Sequence, residues 1–196
     1  MNEILEAKVT KDEIKKSLYG MDPNKAPGPD GFSAMFFQVC WPIVEKDMLK
    51  MVQKSQNTQK IGGSTNSSFL APIPKEKGTS KFSRFRLISL CNTRYKVITK
   101  VIANRQKHIL PKIIPENQGG FIQGRQIVDN FTLVQEAIRS SLLRKEQGMV
   151  IKIDLANAFD RLNHSFLLKV MSRFGFGTNS STGSGHASRS HGLLLL

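Results

Sequence analysis

The stretch Met149–Phe176, MVIKIDLANAFDRLNHSFLLKVMSRFGF, sets the fold class. Met149, Ile151, Ile153 and Leu155 alternate with Val150, Lys152 and Asp154, the period of two expected of a strand whose second face turns polar at its last residues. Asp154 is thereby placed at the C-terminal end of that strand. From about residue 158 to 174 the period lengthens, and Leu162, Phe166 and Val170 recur at the spacing that shares one helix face. Strand, turn and helix after a helix-rich first half predict an α/β or α+β arrangement.

A carboxylate at a strand end, beside a backbone carbonyl, is a donor set for a hard cation such as Mg²⁺ held against phosphates. Asp160 is a poor second ligand, because six residues later the chain has turned into a helix. Its expected task is to complement that helix N-terminus or to pair with Arg161. Residue types alone leave Asp154 open between a metal ligand and an ordinary strand-end carboxylate.

Upstream, Thr10 and Glu13 form the spacing of a capping box, Ile14 and Leu18 share a face, and Gly20 closes a short helix. DPNKAPGPDGF (Asp22–Phe32) carries three prolines and two glycines, which forbid regular structure and stiffen a loop able to present Lys25. A long helix is expected from Ala34 to about Ser55, with Phe36, Phe37, Val39, Cys40, Ile43, Val44, Met48, Met51 and Val52 as its apolar stripe. SFLAPIPK reads as a strand, and FRLISLCNTRYKVITK as a strand passing into a helix near Asn92, whose side chain is suited to cap it. Tyr95, Ile98, Val101, Ile102 and Ile109 mark the buried stripe of that helix, whose other face is basic. A glycine-rich turn region, ENQGGFIQGRQ, precedes a further helix from about Val128 to Lys145, with Phe131, Val134 and Ile138 expected inward. The last twenty residues, 177–196, are rich in serine and glycine without periodicity and are expected to be disordered.

The 196 residues carry 29 Lys and Arg against 15 Asp and Glu, a net charge of +14. Between Lys75 and Lys112 stand eleven basic residues and one acid, Glu76, so this segment holds +10 of that total. Such clustering points to a polyanion, most commonly nucleic acid, against the plainer reading of a solvated basic face. No apolar run approaches the roughly 20 residues that span a bilayer, and the start lacks the pattern of a secretory signal, so no membrane partner and an intracellular address are expected. Nucleus and cytoplasm are not distinguished. Cys40 and Cys91 have no zinc-ligand spacing and are read as buried, reduced and inert.

Five segments in order, NKAPGPDGF, FLAPIPKEKG, FRLISLCNTRYKVITKVIANR, ENQGGFIQGRQIVDN and KIDLANAFDRLNH, resemble the reverse transcriptase of plant non-LTR (LINE-type) retrotransposons over roughly residues 1–176. The resemblance implies a right-hand polymerase: a fingers-like part over 1–148, the first palm strand and helix over 149–176, an incomplete palm sheet, and an unrelated tail over 177–196. It implies that Asp154 is catalytic and binds two Mg²⁺ ions with the carbonyl of Leu155, and that Phe159 closes off the sugar 2′-hydroxyl. Lys75 and Arg86 would lie near the triphosphate of an incoming deoxynucleoside triphosphate. Arginine suits that role because its planar fork pairs phosphate oxygens at two points. Leu87 stands where the family usually has proline, which leaves the loop around Arg86 less rigid. Lys25 and Arg125 would contact the backbone of an RNA template paired with a DNA primer.

No Asp-Asp pair occurs in the sequence, although the family completes its metal site with an aromatic followed by Ala-Asp-Asp. Family-like text stops after Phe176, and neither the thumb nor the upstream endonuclease domain of full-length elements is recognised. The expectation is therefore a truncated reverse transcriptase domain, inactive alone. The alternatives are a non-enzymatic, basic nucleic-acid-binding remnant and a pseudogene product that does not fold stably.

Overall fold

A computed structural model of the chain describes residues 2–153 and 161–176. The end of the expected strand at Asp154 and Leu155, the aromatic Phe159, Asp160 and the tail 177–196 lie outside the described residues. Eight helices and one β-hairpin follow in order among those described: α1 (Asn2–Glu6), α2 (Lys11–Tyr19), α3 (Ala34–Val39), α4 (Trp41–Thr58), β1 (Ser68–Pro74), β2 (Phe85–Cys91), α5 (Thr93–Lys107), α6 (Leu110–Ile113), α7 (Ile127–Arg144) and α8 (His164–Arg173). The architecture is a helix-rich α+β arrangement with a small antiparallel sheet.

Helix α2 begins as its sequence specifies. The Thr10 hydroxyl accepts from the Glu13 amide at 3.3 Å, and the Glu13 carboxylate accepts from the Thr10 amide at 3.1 Å. Ile14 and Leu18 then point inward with no exposed surface. They join Val9, Phe37, Trp41, Met48, Val52, Val97, Ile98 and Val101 in the principal core. Each such side chain contributes about 1.5–3 kcal/mol on removal from water.

The expected single helix from Ala34 is two helices, broken at Cys40. Pro42 occupies the first turn of α4, lacks an amide proton, and its ring excludes the preceding turn. The carbonyl of Gln38, which that amide would have bonded, accepts instead from the Tyr19 hydroxyl at 2.9 Å. The Gln38 side chain turns back and donates to the carbonyls of Leu18 and Met21, satisfying the C-terminal end of α2. The break also rotates the buried face. Trp41 is in the core, whereas Ile43 is 80% exposed and Val39 is exposed as well.

Helix α5 runs through the centre, and Arg105 near its end is 8% exposed. Its guanidinium meets the Glu13 carboxylate twice at 2.8 Å and donates to the carbonyls of Leu5 and Ala7 at 3.0 and 2.7 Å. One side chain thus ties α5 to both α1 and α2. Hydrogen bonding to Arg105 holds the Glu13 carboxyl below the ordinary glutamate range, against the opposing effect of burial. A second, smaller cluster of Ile109, Met171 and Phe176 seats α8 beside α6.

Three further expectations fail in this part of the fold. Phe131, Val134 and Ile138 of α7 are exposed rather than inward, Phe131 by 62%. Periodicity identifies a face that needs covering, but it does not supply the cover. Residues 149–153 form no ladder with any described strand, and Met149, Val150, Ile151 and Ile153 are exposed. Alternation encodes two faces, whereas a strand also needs an edge to pair with. Cys40 is only half-buried, while Cys91 is buried, and burial pushes the Cys91 thiol up, which keeps it protonated.

Candidate nucleic-acid interface

The Asp22–Phe32 loop is docked on the junction between β2 and α5, and Asn92 is its anchor. Asn92 does not cap α5 with its side chain. Its Oδ1 accepts from the Asp30 amide at 3.0 Å, and its Nδ2 donates to the carbonyls of Ser64 and Thr65 at 2.9 and 3.4 Å. A buried asparagine with donor and acceptor both used holds two connectors at once. Gly28 packs so closely that a Cβ there would lie 2.4 Å from the Asn92 amide nitrogen. Around this contact the Thr93 hydroxyl donates to the Phe32 carbonyl at 2.8 Å, Arg94 pairs with Asp30 at 3.4 Å, and Lys96 Nζ donates to the Ala26 carbonyl at 3.2 Å. Lys25 stands exposed on the loop next to that last bond.

Lys96, half-buried, and exposed Lys100 and Lys107 follow one another along one side of α5, whose Val97, Val101 and Arg105 are buried. The structure sorts the eleven cations between Lys75 and Lys112. Arg84, Arg94 and Arg105 are paired with Glu76, Asp30 and Glu13. The remaining eight have no ion pair among the described residues. A row of uncompensated ammonium groups on a rigid helix attracts a phosphate backbone and exchanges its counterions on binding.

The hairpin carries the two residues expected near a triphosphate. β1 and β2 pair antiparallel with Ile73 opposite Arg86, and beyond β1 the Lys75 amide donates to the Arg84 carbonyl at 2.9 Å. Lys75 thus follows directly on the last pair of the ladder, Pro74 with Phe85, two residues beyond Ile73. Both side chains are exposed, and Arg86 has no ion pair among the described residues. The Lys75 ammonium donates to the Ser83 carbonyl at 3.4 Å. Leu87, in the place of the family's proline, lies within the ladder opposite Pro72.

Arg125 has a different occupation from the template contact expected of it. Its guanidinium donates to four backbone carbonyls, those of Pro111, Ile114, Pro115 and Gln118, with Ile114 at 2.8 Å and Gln118 at 2.9 Å. The group gathers the end of α6 and the following turn around itself. Lysine has three donors on a flexible stem and cannot reproduce this fork. Arg125→Lys is expected to cost about 1–2 kcal/mol, read as a lowered melting temperature, and unchanged melting would contradict the assignment.

Asp154, Leu155 and Phe159 are outside the described residues, so their assignment rests on the sequence motif. Among the described residues no three of His, Cys, Asp and Glu converge as a metal site. Sequence reasoning missed Arg105 as the central latch and Trp41 as core. The proline one residue beyond Trp41 was a signal for the second.

Residues 73–190, more than half of the chain, match the family described as reverse transcriptase (RNA-dependent DNA polymerase). The chain is 29% identical over 175 residues to the transposon TX1 uncharacterized 149 kDa protein of Xenopus laevis, an alignment covering 89% of this chain and 13% of that protein. It is 34% identical over 86 residues to the probable RNA-directed DNA polymerase from transposon BS of Drosophila melanogaster, covering 43% of this chain and 10% of the relative. It is 23% identical over 166 residues to the retrovirus-related Pol polyprotein from type-1 retrotransposable element R2 of Nasonia vitripennis, covering 84% and 15%. The chain thus spans 10–15% of the length of these curated relatives.

Proposed function

The chain belongs to the reverse transcriptase (RNA-dependent DNA polymerase) family, as a domain homologous to those of non-LTR retrotransposons, and from that premise we propose that it supplies the template- and nucleotide-holding part of an RNA-directed DNA polymerase. The observation that carries this reading is the row of lysines on α5 that have no ion pair among the described residues, which starts beside the docked Asp22–Phe32 loop and continues the basic segment that begins at the hairpin. In the proposed division, residues 1–148 are fingers and 149–176 open the palm. The animal relatives leave the plant lineage to the wording of the five motif segments.

The described residues would work by position and charge. Lys96, Lys100 and Lys107 hold the phosphates of an RNA template, with Lys25 at one end of the track. Lys75, just beyond β1, and Arg86 of β2 clamp the triphosphate of a deoxynucleoside triphosphate, the arginine bidentate and the lysine as a point charge. Arg125 shapes the turn that closes the other end. Asp154 with the Leu155 carbonyl would hold Mg²⁺, which supplies Lewis-acid stabilisation of the attacking and leaving oxygens when bound. Phe159 would bar a 2′-hydroxyl by its bulk.

Because no Asp-Asp pair is present, one motif carboxylate cannot by itself hold the charge of two divalent ions, and this chain alone is expected to bind without polymerising. The test measures binding of a primed RNA template across a salt series, together with Mg²⁺-dependent primer extension. Binding should weaken with log[salt] at a slope of about −0.7 for each phosphate contacted. Absence of RNA binding at low salt would sink the reading, and extension abolished by Asp154→Ala would overturn the expected inactivity.

A further inference from the structure

Resting on that reading, we propose that the cavity between α5 and the turn around Phe121 is a stacking site for one base of single-stranded RNA, with Phe121 as the platform and Lys100 and Lys107 as the flanking phosphate contacts. The cavity has a volume of about 150 Å³ and is lined by Lys100, Ala103, Asn104, Lys107, Phe121 and Gln123 among others. That is about the volume that admits a single aromatic ring.

Phe121 is 80% exposed, although a phenyl ring is among the groups most strongly driven from water. Its backbone is in the left-handed region at φ 62°, one of three non-glycine residues so placed among those described. Its neighbour Ile122 is buried, so this conformation anchors one side chain in the core and turns the other outward. The turn is not loose. Arg125 binds the Pro115 and Gln118 carbonyls on one side, and the Asn130 amide donates to the Asn117 carbonyl at 3.1 Å on the other. A rigid, outward aromatic beside unpaired cations is the arrangement by which proteins hold unstacked bases.

The other walls fit a base between two phosphates. Lys100 and Lys107 lie two turns apart on one face of α5, about 10 Å along its axis, so their flexible stems reach backbone on either side of a stacked base. Ala103 between them is small and leaves the space open. The Asn104 amide is already used, donating to Ser17 Oγ at 3.1 Å, which fixes the floor. Exposed Gln123 offers an amide with both donor and acceptor, able to meet the edge of any base. Stacking tolerates every base, so the site grips a strand without reading its sequence.

Fluorescence polarisation of the full chain with a labelled oligoadenylate roughly 12 nucleotides long tests this. Phe121→Leu, which keeps an apolar side chain but removes the π-face, should weaken binding about tenfold, and Phe121→Trp should retain or tighten it. The double variant Lys100→Gln, Lys107→Gln should flatten the log–log salt slope by about 1.4. Both Phe121 variants should melt as the unsubstituted chain does. If Phe121→Leu binds within about twofold of the unsubstituted chain, or melts lower because the ring serves the fold, the stacking site is wrong while the parent reading stands. If the unsubstituted chain binds no RNA, the parent reading falls and takes the site with it.

Discussion

Arg105→Met lowers the stability of the chain by about 3 kcal/mol, the lower end of what removing one partner of a buried ion pair costs. For a chain of this size the melting temperature falls by roughly 6–12 °C. Methionine preserves the length and apolar stem, so the loss isolates the guanidinium, which serves Glu13 and two carbonyls at once. The lower end applies because the Glu13 side chain keeps 35% of its surface in water and can be partly rehydrated. The pH dependence gives a second readout. Glu13 has a folded-state pKa below its unfolded one, so its contribution is fully present above the unfolded value and is lost as pH falls through the depressed value. The unsubstituted chain should therefore lose stability over that acidic window, and Arg105→Met should lose that component of the dependence. Equal melting of the two chains at neutral pH, or the same acid profile in both, would show that the latch does not hold α5 to α1 and α2.

The second large effect is expected at Gly28. An added Cβ would sit 2.4 Å from the Asn92 amide nitrogen and 2.5 Å from its Oδ1, inside any permitted contact with a backbone that α5 and β2 hold in place. Gly28→Ala therefore has to lift the loop, breaking the Asp30 bond to Asn92 and drawing Ala26 away from Lys96. The expected cost is about 2–3 kcal/mol, as for overpacked interiors, with new protease cleavage within residues 22–32. Gly62→Ala is the control, since nothing lies within 4 Å of its added Cβ, and its effect should stay within about 0.5 kcal/mol. Similar melting and cleavage for the two variants would mean that the loop is not docked.

What could be read from sequence divides along physical lines. The capping box at Thr10 and Glu13, the buried stripe of α5, both hairpin strands and the irregular 22–32 loop were legible, because each is encoded by residues close together in the chain. The break at Pro42 was also written locally, yet an apolar stripe running across it suggested one helix. Asn92 was misjudged, and the carbonyl bonds of Arg125 were not foreseen, for a different reason. A cap or a phosphate contact is the commonest use of such residues near a helix start or a glycine-rich turn. Only the folded chain brings up Asp30, Ser64 and Thr65, or four converging carbonyls, to claim them.

The candidate interface shows the same limit. Its excess of positive charge was plain from composition, but which cations remain unpaired depends on Glu13 and Asp30, which approach α5 from 92 and 64 residues away. The placement of Arg86 opposite Ile73 likewise follows from strand register, which spacing in the sequence does not reveal. Asp154, Leu155 and Phe159 stand on motif resemblance, and their test is chemical.

The Arg105–Glu13 latch and the core from Val9 to Val101 are built wholly from the first 107 residues. On a ribosome moving at about 5–20 residues per second, α7 is completed roughly 2–7 seconds after residue 107, so that half can close before α7 has emerged. What then leaves the exit tunnel is a helix with Phe131, Val134, Ile138 and Leu142 in the open, attached to a body already shut. Such a nascent chain presents chaperones with one bounded apolar row instead of a whole unfolded sequence, so the order of synthesis itself confines where the young protein is vulnerable to sticking.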